Sequence, residues 1–160
     1  MYQIGSLIYN HIEYFLLLYF LMTVFWHYFC PQKINLVFQR IVVMLWLITT
    51  AIITFFGRTP VMEVRINLIP FQGESFISNI KNNALLFLPW VTMVCGAIPK
   101  LKVKTAIIYG CCASLVIEIV QLISHRGICD IDDFIENVIG VALGAVIYFL
   151  INKLSRKRKV

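Results

Sequence analysis

Hydrophobic residues fall in five runs, at about 12–29, 41–56, 84–98, 105–124 and 134–151, and each is a candidate membrane-crossing helix. The first ends in Trp26, His27 and Tyr28, aromatic residues suited to a membrane interface. The second follows a polar connection at 31–40 and can span if its helix begins a few residues earlier. Gly57, Arg58 and Pro60 stop it. The third is short and interrupted by Pro89. It crosses if it recruits residues 76–83, and is otherwise kinked or re-entrant. Between the second and third runs, residues 58–83 mix Arg, Asn and Lys with large hydrophobic residues and two prolines, so part of this stretch is expected to fold back against the bundle.

Two stripes of polar residues interrupt the last two runs. Ser114, Glu118, Gln121 and His125 step by four, three and four, and Arg126, Asp130, Asp133, Asn137, Gly140 and Gly144 by four, three, four, three and four. In helices each set lies on one face. The surroundings are so apolar that these faces are expected to point inward and towards each other. Gly140 and Gly144 form GxxxG, a close-packing face.

Composition agrees with the pattern. Of the 160 residues, 60% are hydrophobic and 14% charged, and the mean hydropathy is +0.83, the range of integral membrane proteins. The formal charge of +6 belongs to clusters beside apolar runs rather than to a nucleic-acid-binding face. Lys33 and Arg40, then Lys100, Lys102 and Lys104, then the tail Lys153, Arg156, Lys157, Arg158 and Lys159 share one side in a five-span arrangement; Arg58, Arg65, Lys81 and Arg126 take the other. Ten against four makes the first side cytoplasmic and puts the loop at 58–83 and residues 125–133 outside. The N-terminal run has no preceding Lys or Arg and no small-residue cleavage site, so it reads as a retained segment. Five cysteines without a CxxC read as small buried hydrophobes.

The expectation is therefore an all-α polytopic membrane protein of about five transmembrane helices with a cytoplasmic C-terminus. Residues 1–56 form a two-helix region, 57–151 the core and 152–160 a basic tail. Arg65, Asn67, Glu118, Gln121, Arg126, Asp130, Asp133 and Asn137 are candidate ligand-binding residues at one end of the bundle. Arg65 and Arg126 suit an anionic group such as phosphate. Glu118, Asp130 and Asp133 are candidates for acid and base. One Asp of the 130–133 group can instead cap the last helix. Helix-joining hydrogen bonds would account for one or two such residues, not eight. No HExxH, GxSxG or zinc-type Cys/His spacing is present, and neither metal nor cofactor is expected.

Four motifs in order, Arg65-Ile-Asn67-Leu-Ile-Pro70-Phe71, Asn83-xxx-Phe87-x-Pro89, Ser114-xxx-Glu118-xx-Gln121 and Arg126-xxx-Asp130-xx-Asp133-xxx-Asn137-xx-Gly140-xxx-Gly144, resemble the VanZ-like family over residues 57–150. One departure is Val91, where that family usually has Gly two residues after the third-span proline. The resemblance implies a small multi-pass protein of the bacterial cell membrane. It also implies a link to low-level resistance to teicoplanin-type glycopeptides, the activity of the member that gives the family its name. Membrane lipids or a lipid-linked envelope precursor are the expected partners, without nucleic acid. An intramembrane enzyme acting on lipid headgroups and a structural or regulatory partner of envelope proteins are the alternatives.

Overall fold

The computed structural model describes residues 2–56, 66–71, 75–125 and 128–157. In chain order its elements are α1 (Tyr2–Phe29), α2 (Gln32–Phe56), β1 (Ile66–Asn67), α3 (Ser75–Phe87), α4 (Trp90–Ala97), α5 (Val103–Ser124), β2 (Cys129–Asp130) and α6 (Ile131–Lys157). Three helices are long and apolar enough to cross a membrane, over Lys33–Ile52, Val103–Ser124 and Ile131–Lys153. At about 1.5 Å per residue they reach roughly 30–35 Å, the thickness of a hydrocarbon core. Leu16–Phe29 and Asn82–Ala97 are shorter apolar stretches.

The bundle is inside-out relative to a soluble protein. Leu18, Phe25, Ile41, Met44, Leu115, Ile119, Ile123, Val146 and Phe149 are exposed, whereas Gln39, Ser114, Glu118, Gln121, Glu136 and Asn137 are buried. Water would penalise both choices, and a lipid surround reverses the first.

Several element boundaries differ from the expected ones. The connection at 31–40 is almost wholly the start of α2, and the helix of α6 runs through residue 157 into the basic tail. The third run does recruit residues before it, but as two helices. Pro89 cannot donate a backbone hydrogen bond, so α3 stops at Phe87 and α4 restarts at Trp90. Two indoles secure this break: Trp46 Nε1 donates to Leu86 O at 2.8 Å, and Trp90 Nε1 donates to Ala106 O at 2.7 Å. Around it Trp46, Phe87 and Trp90 pack ring against ring, with centroids 4.9–6.1 Å apart. Val91, the departure from the family pattern, is fully buried in this core.

α6 lies against α3 with almost no side chains between them. A Cβ on Gly140 would run into the carbonyl of Ala84, and one on Gly144 into that of Leu88. The glycine stripe is thus a backbone-to-backbone contact, as the sequence pattern implied.

Candidate functional site

α5 and α6 bring the two polar stripes together. Asn137 Nδ2 on α6 donates to Ser114 Oγ on α5 at 3.0 Å, and both side chains are buried. Glu118 and Gln121 follow on the same face of α5, with only 3% and 2% of their surface exposed. The face ends there: His125 is exposed, adopts φ 53°, and closes α5 as its C-terminal cap. It does not continue the stripe. Nor does the second stripe begin where its spacing suggested, because α6 starts at Ile131 and Asp130 belongs to β2. Arg65 and Arg126 lie outside the described residues.

A short parallel clip, Ile66 beside Cys129 and Asn67 beside Asp130, ties the segment after residue 65 to the entrance of α6. Asn67 Nδ2 donates to Asp130 Oδ1 at 3.2 Å, while Asn67 Oδ1 accepts from Ile69 N at 3.3 Å. The same Asp130 oxygen accepts from Asp132 N at 3.0 Å, the bond of an N-terminal helix cap. Asp130 N donates to Glu118 Oε2 at 3.1 Å, which joins the clip to α5. Asp132 receives Phe71 N on both oxygens, at 3.0 and 3.2 Å, and holds Phe71 at φ 62°. Asp130 and Asp132 therefore have structural work at the mouth of the seam.

Asp133 differs. It is 7% exposed and accepts from Asn83 Nδ2 at 2.8 Å. The same amide nitrogen donates to Glu136 Oε2 at 2.7 Å, and Glu136 is wholly buried. Asn83 thus spends both of its N–H bonds on two carboxyl groups one helical turn apart. The α3–α6 contact dictates this: Asn83 precedes Ala84, which the backbone at Gly140 touches, and Glu136 lies one turn before Gly140.

Three buried acceptors, Gln121 Oε1, Glu136 Oε1 and Asn137 Oδ1, have no hydrogen-bond donor among the described residues. Such groups cost about 1–3 kcal/mol each when left unpaired, so the seam has unused capacity for donors. Cys129 lies at its rim, where burial and then the carboxylates of Glu118, Asp130 and Asp133 raise its thiol pKa.

Asn83 and Glu136 are site residues that stripe reasoning missed. Glu136 sits three residues after Asp133 and four before Gly140, the spacing of one helix face. Asn83 carried no periodic signal and stood only in the second of the four motifs.

No solved structure matches the chain. Protein VanZ of Enterococcus faecium is 28% identical over 95 residues, and the alignment covers 59% of this chain and 59% of that protein. The chain therefore spans about three fifths of that relative. Residues 11–152, which hold the clip, the seam and all of the described helix contacts around them, match VanZ/LLP1, and the chain belongs to that family.

Proposed function

We propose that this protein works at the outer face of the bacterial cell membrane, where the seam between α3, α5 and α6 binds a membrane-linked envelope component. Reduced sensitivity to teicoplanin-type glycopeptides is the accompanying phenotype, by the family resemblance. The observation that carries the reading is a concentration of buried groups at one end of the bundle. Glu118, Asp133, Glu136, Gln121 and Asn137 are buried there, and three of their oxygens lack donors among the described residues. A ligand rich in hydroxyl or amide N–H groups, such as the sugar and peptide of a lipid-linked envelope precursor, supplies donors of that kind. Arg65 and Arg126 are assigned its anionic linkage. Lipid extracted from purified wild-type protein should contain such a precursor, and Arg126→Ala should lose it. Equal recovery from both proteins would defeat the assignment.

A second reading, chemistry on a lipid headgroup, draws on Asp133 and Glu136. Two carboxyl groups that share the Asn83 amide have the makings of an acid and a base.

The orientation has its own test. Leu68 and Lys153 are exposed at opposite ends of the bundle, and the Lys and Arg asymmetry places Leu68 outside. In a cysteine-free background on intact cells, an impermeant maleimide should label Leu68→Cys and spare Lys153→Cys. The reverse pattern would move the seam to the cytoplasmic face.

A further inference from the structure

A second opening runs along the side of the bundle, from the end away from the carboxyl groups towards its middle. α2, α4 and α5 part around a cavity of about 660 Å³ whose lining includes Val43, Met44, Trp90, Val94, Cys112 and Val116. Arg40 is the charged residue of that lining. Met44, Cys112 and Val116 are exposed, so the cavity is a groove open along its side to the surroundings of the helices. Its volume falls within the roughly 300–1,000 Å³ of ordinary ligand pockets.

The groove has a depth and a polarity. Its lining runs from Tyr109 to Val116 on α5 and from Trp90 to Ala97 on α4, about 10 Å along each helix. That is most of the roughly 15 Å taken by one leaflet of hydrocarbon. Arg40 marks the shallow end, because its Nε donates to the carbonyl of Ala97, the last residue of α4, at 3.3 Å. The bond fixes the guanidinium and uses one of its five N–H groups. Lys100 and Lys102 are exposed in the turn that follows, and Lys104 in the first turn of α5. From Lys102 to Glu118 is about 24 Å along α5, so this basic level and the carboxyl seam lie most of a hydrocarbon thickness apart.

We propose that the groove holds an acyl chain of an anionic glycerophospholipid whose phosphate sits on the terminal N–H groups of Arg40. An apolar groove alone would accept any lipid tail. Arginine at the edge of the hydrocarbon makes it selective, since its charge is costly there without a partner and its planar fork matches a phosphate in two-point contact. The three lysines beside it attract the same headgroup class. This site stands apart from the carboxyl seam and does not depend on what the seam binds.

Native mass spectrometry of the full chain in mild detergent, titrated with phosphatidylglycerol or phosphatidylcholine, tests the assignment. Wild-type protein should bind phosphatidylglycerol about tenfold more tightly than phosphatidylcholine. Arg40→Gln should bring the two lipids level, and Cys112→Trp, which fills the groove from its open side, should weaken both. Thermal unfolding without added lipid separates loss of fold from loss of binding. Should Arg40→Gln fail to fold, Arg40→Lys keeps the charge without the fork and should bind phosphatidylglycerol about threefold more weakly than wild type. The site is overturned if wild-type protein does not discriminate between the lipids, or if the preference survives in Arg40→Gln, which would leave the lysines as a surface attraction only. Undiminished binding by Cys112→Trp or Arg40→Lys would overturn it equally.

Discussion

Gly144→Leu should leave almost no folded protein in the membrane. The reason is what the new side chain would meet. A Cβ at residue 144 collides with the carbonyl of Leu88, which is backbone and has no rotamer into which to retreat. Leu88 stands between α3 and α4, where Pro89 has already removed a backbone donor and where Trp46 holds the neighbouring carbonyl of Leu86. Relief therefore requires α6 to move off α3. Overpacking that forces backbone shifts costs about 1–3 kcal/mol and occasionally more, and a clash that no rotamer relieves belongs at the upper end. Gly144→Ala meets the same carbonyl and should weaken the fold less, because only one methyl must be accommodated. Membrane yield and the detergent thermal midpoint measure both variants; a wild-type yield for Gly144→Leu would mean that α6 does not lie on α3 in this way.

That contact also explains which parts of the architecture were legible in the sequence. Hydrophobic runs located α5 and the body of α6 because lipid selects apolar residues wherever a helix is exposed to it. The polar faces of these helices were visible for the same reason, since a Glu118 or Asn137 among isoleucines and valines has nowhere favourable to point but inward. Gly140 and Gly144 announced themselves through spacing. The division of the third run was half visible: Pro89 marks the break, but a proline does not say whether a helix bends or restarts. The clip between Ile66–Asn67 and Cys129–Asp130 was not visible at all. Two residues per strand carry no alternation to read, and the pairing joins segments more than sixty positions apart. Asp130 shows how that matters. Its spacing assigned it to a helix face with Asp133, yet its oxygen caps α6 and holds Asn67, so the stripe of the seam proper begins at Asp133.

Asn83 and Glu136 give the sharpest separation between packing and function. Asn83→Ala removes both donors from two buried carboxyl groups at once. Glu136 Oε2 then loses its donor and Asp133 loses one of its bonds; an unpaired buried acceptor costs about 1–3 kcal/mol, so the variant should lose stability in that range and accumulate poorly. Asn83→Leu should also be destabilised, and adding Glu136→Leu should restore part of the loss, because it removes the Glu136 acceptor that the lost amide leaves stranded. Recovery of stability in that double variant, read as a thermal midpoint in detergent, identifies the Asn83–Glu136 bond as part of what holds α3 to α6. Glu136→Gln is the functional probe. Its carbonyl oxygen can still accept from Asn83, the shape is unchanged, and the carboxyl group is gone. Abundance should stay near wild type, while precursor binding and any protection against teicoplanin should fall at least tenfold if the carboxyl group contacts ligand or moves a proton. Full binding and full protection in Glu136→Gln, at wild-type abundance, would leave the seam as a means of joining helices and nothing more.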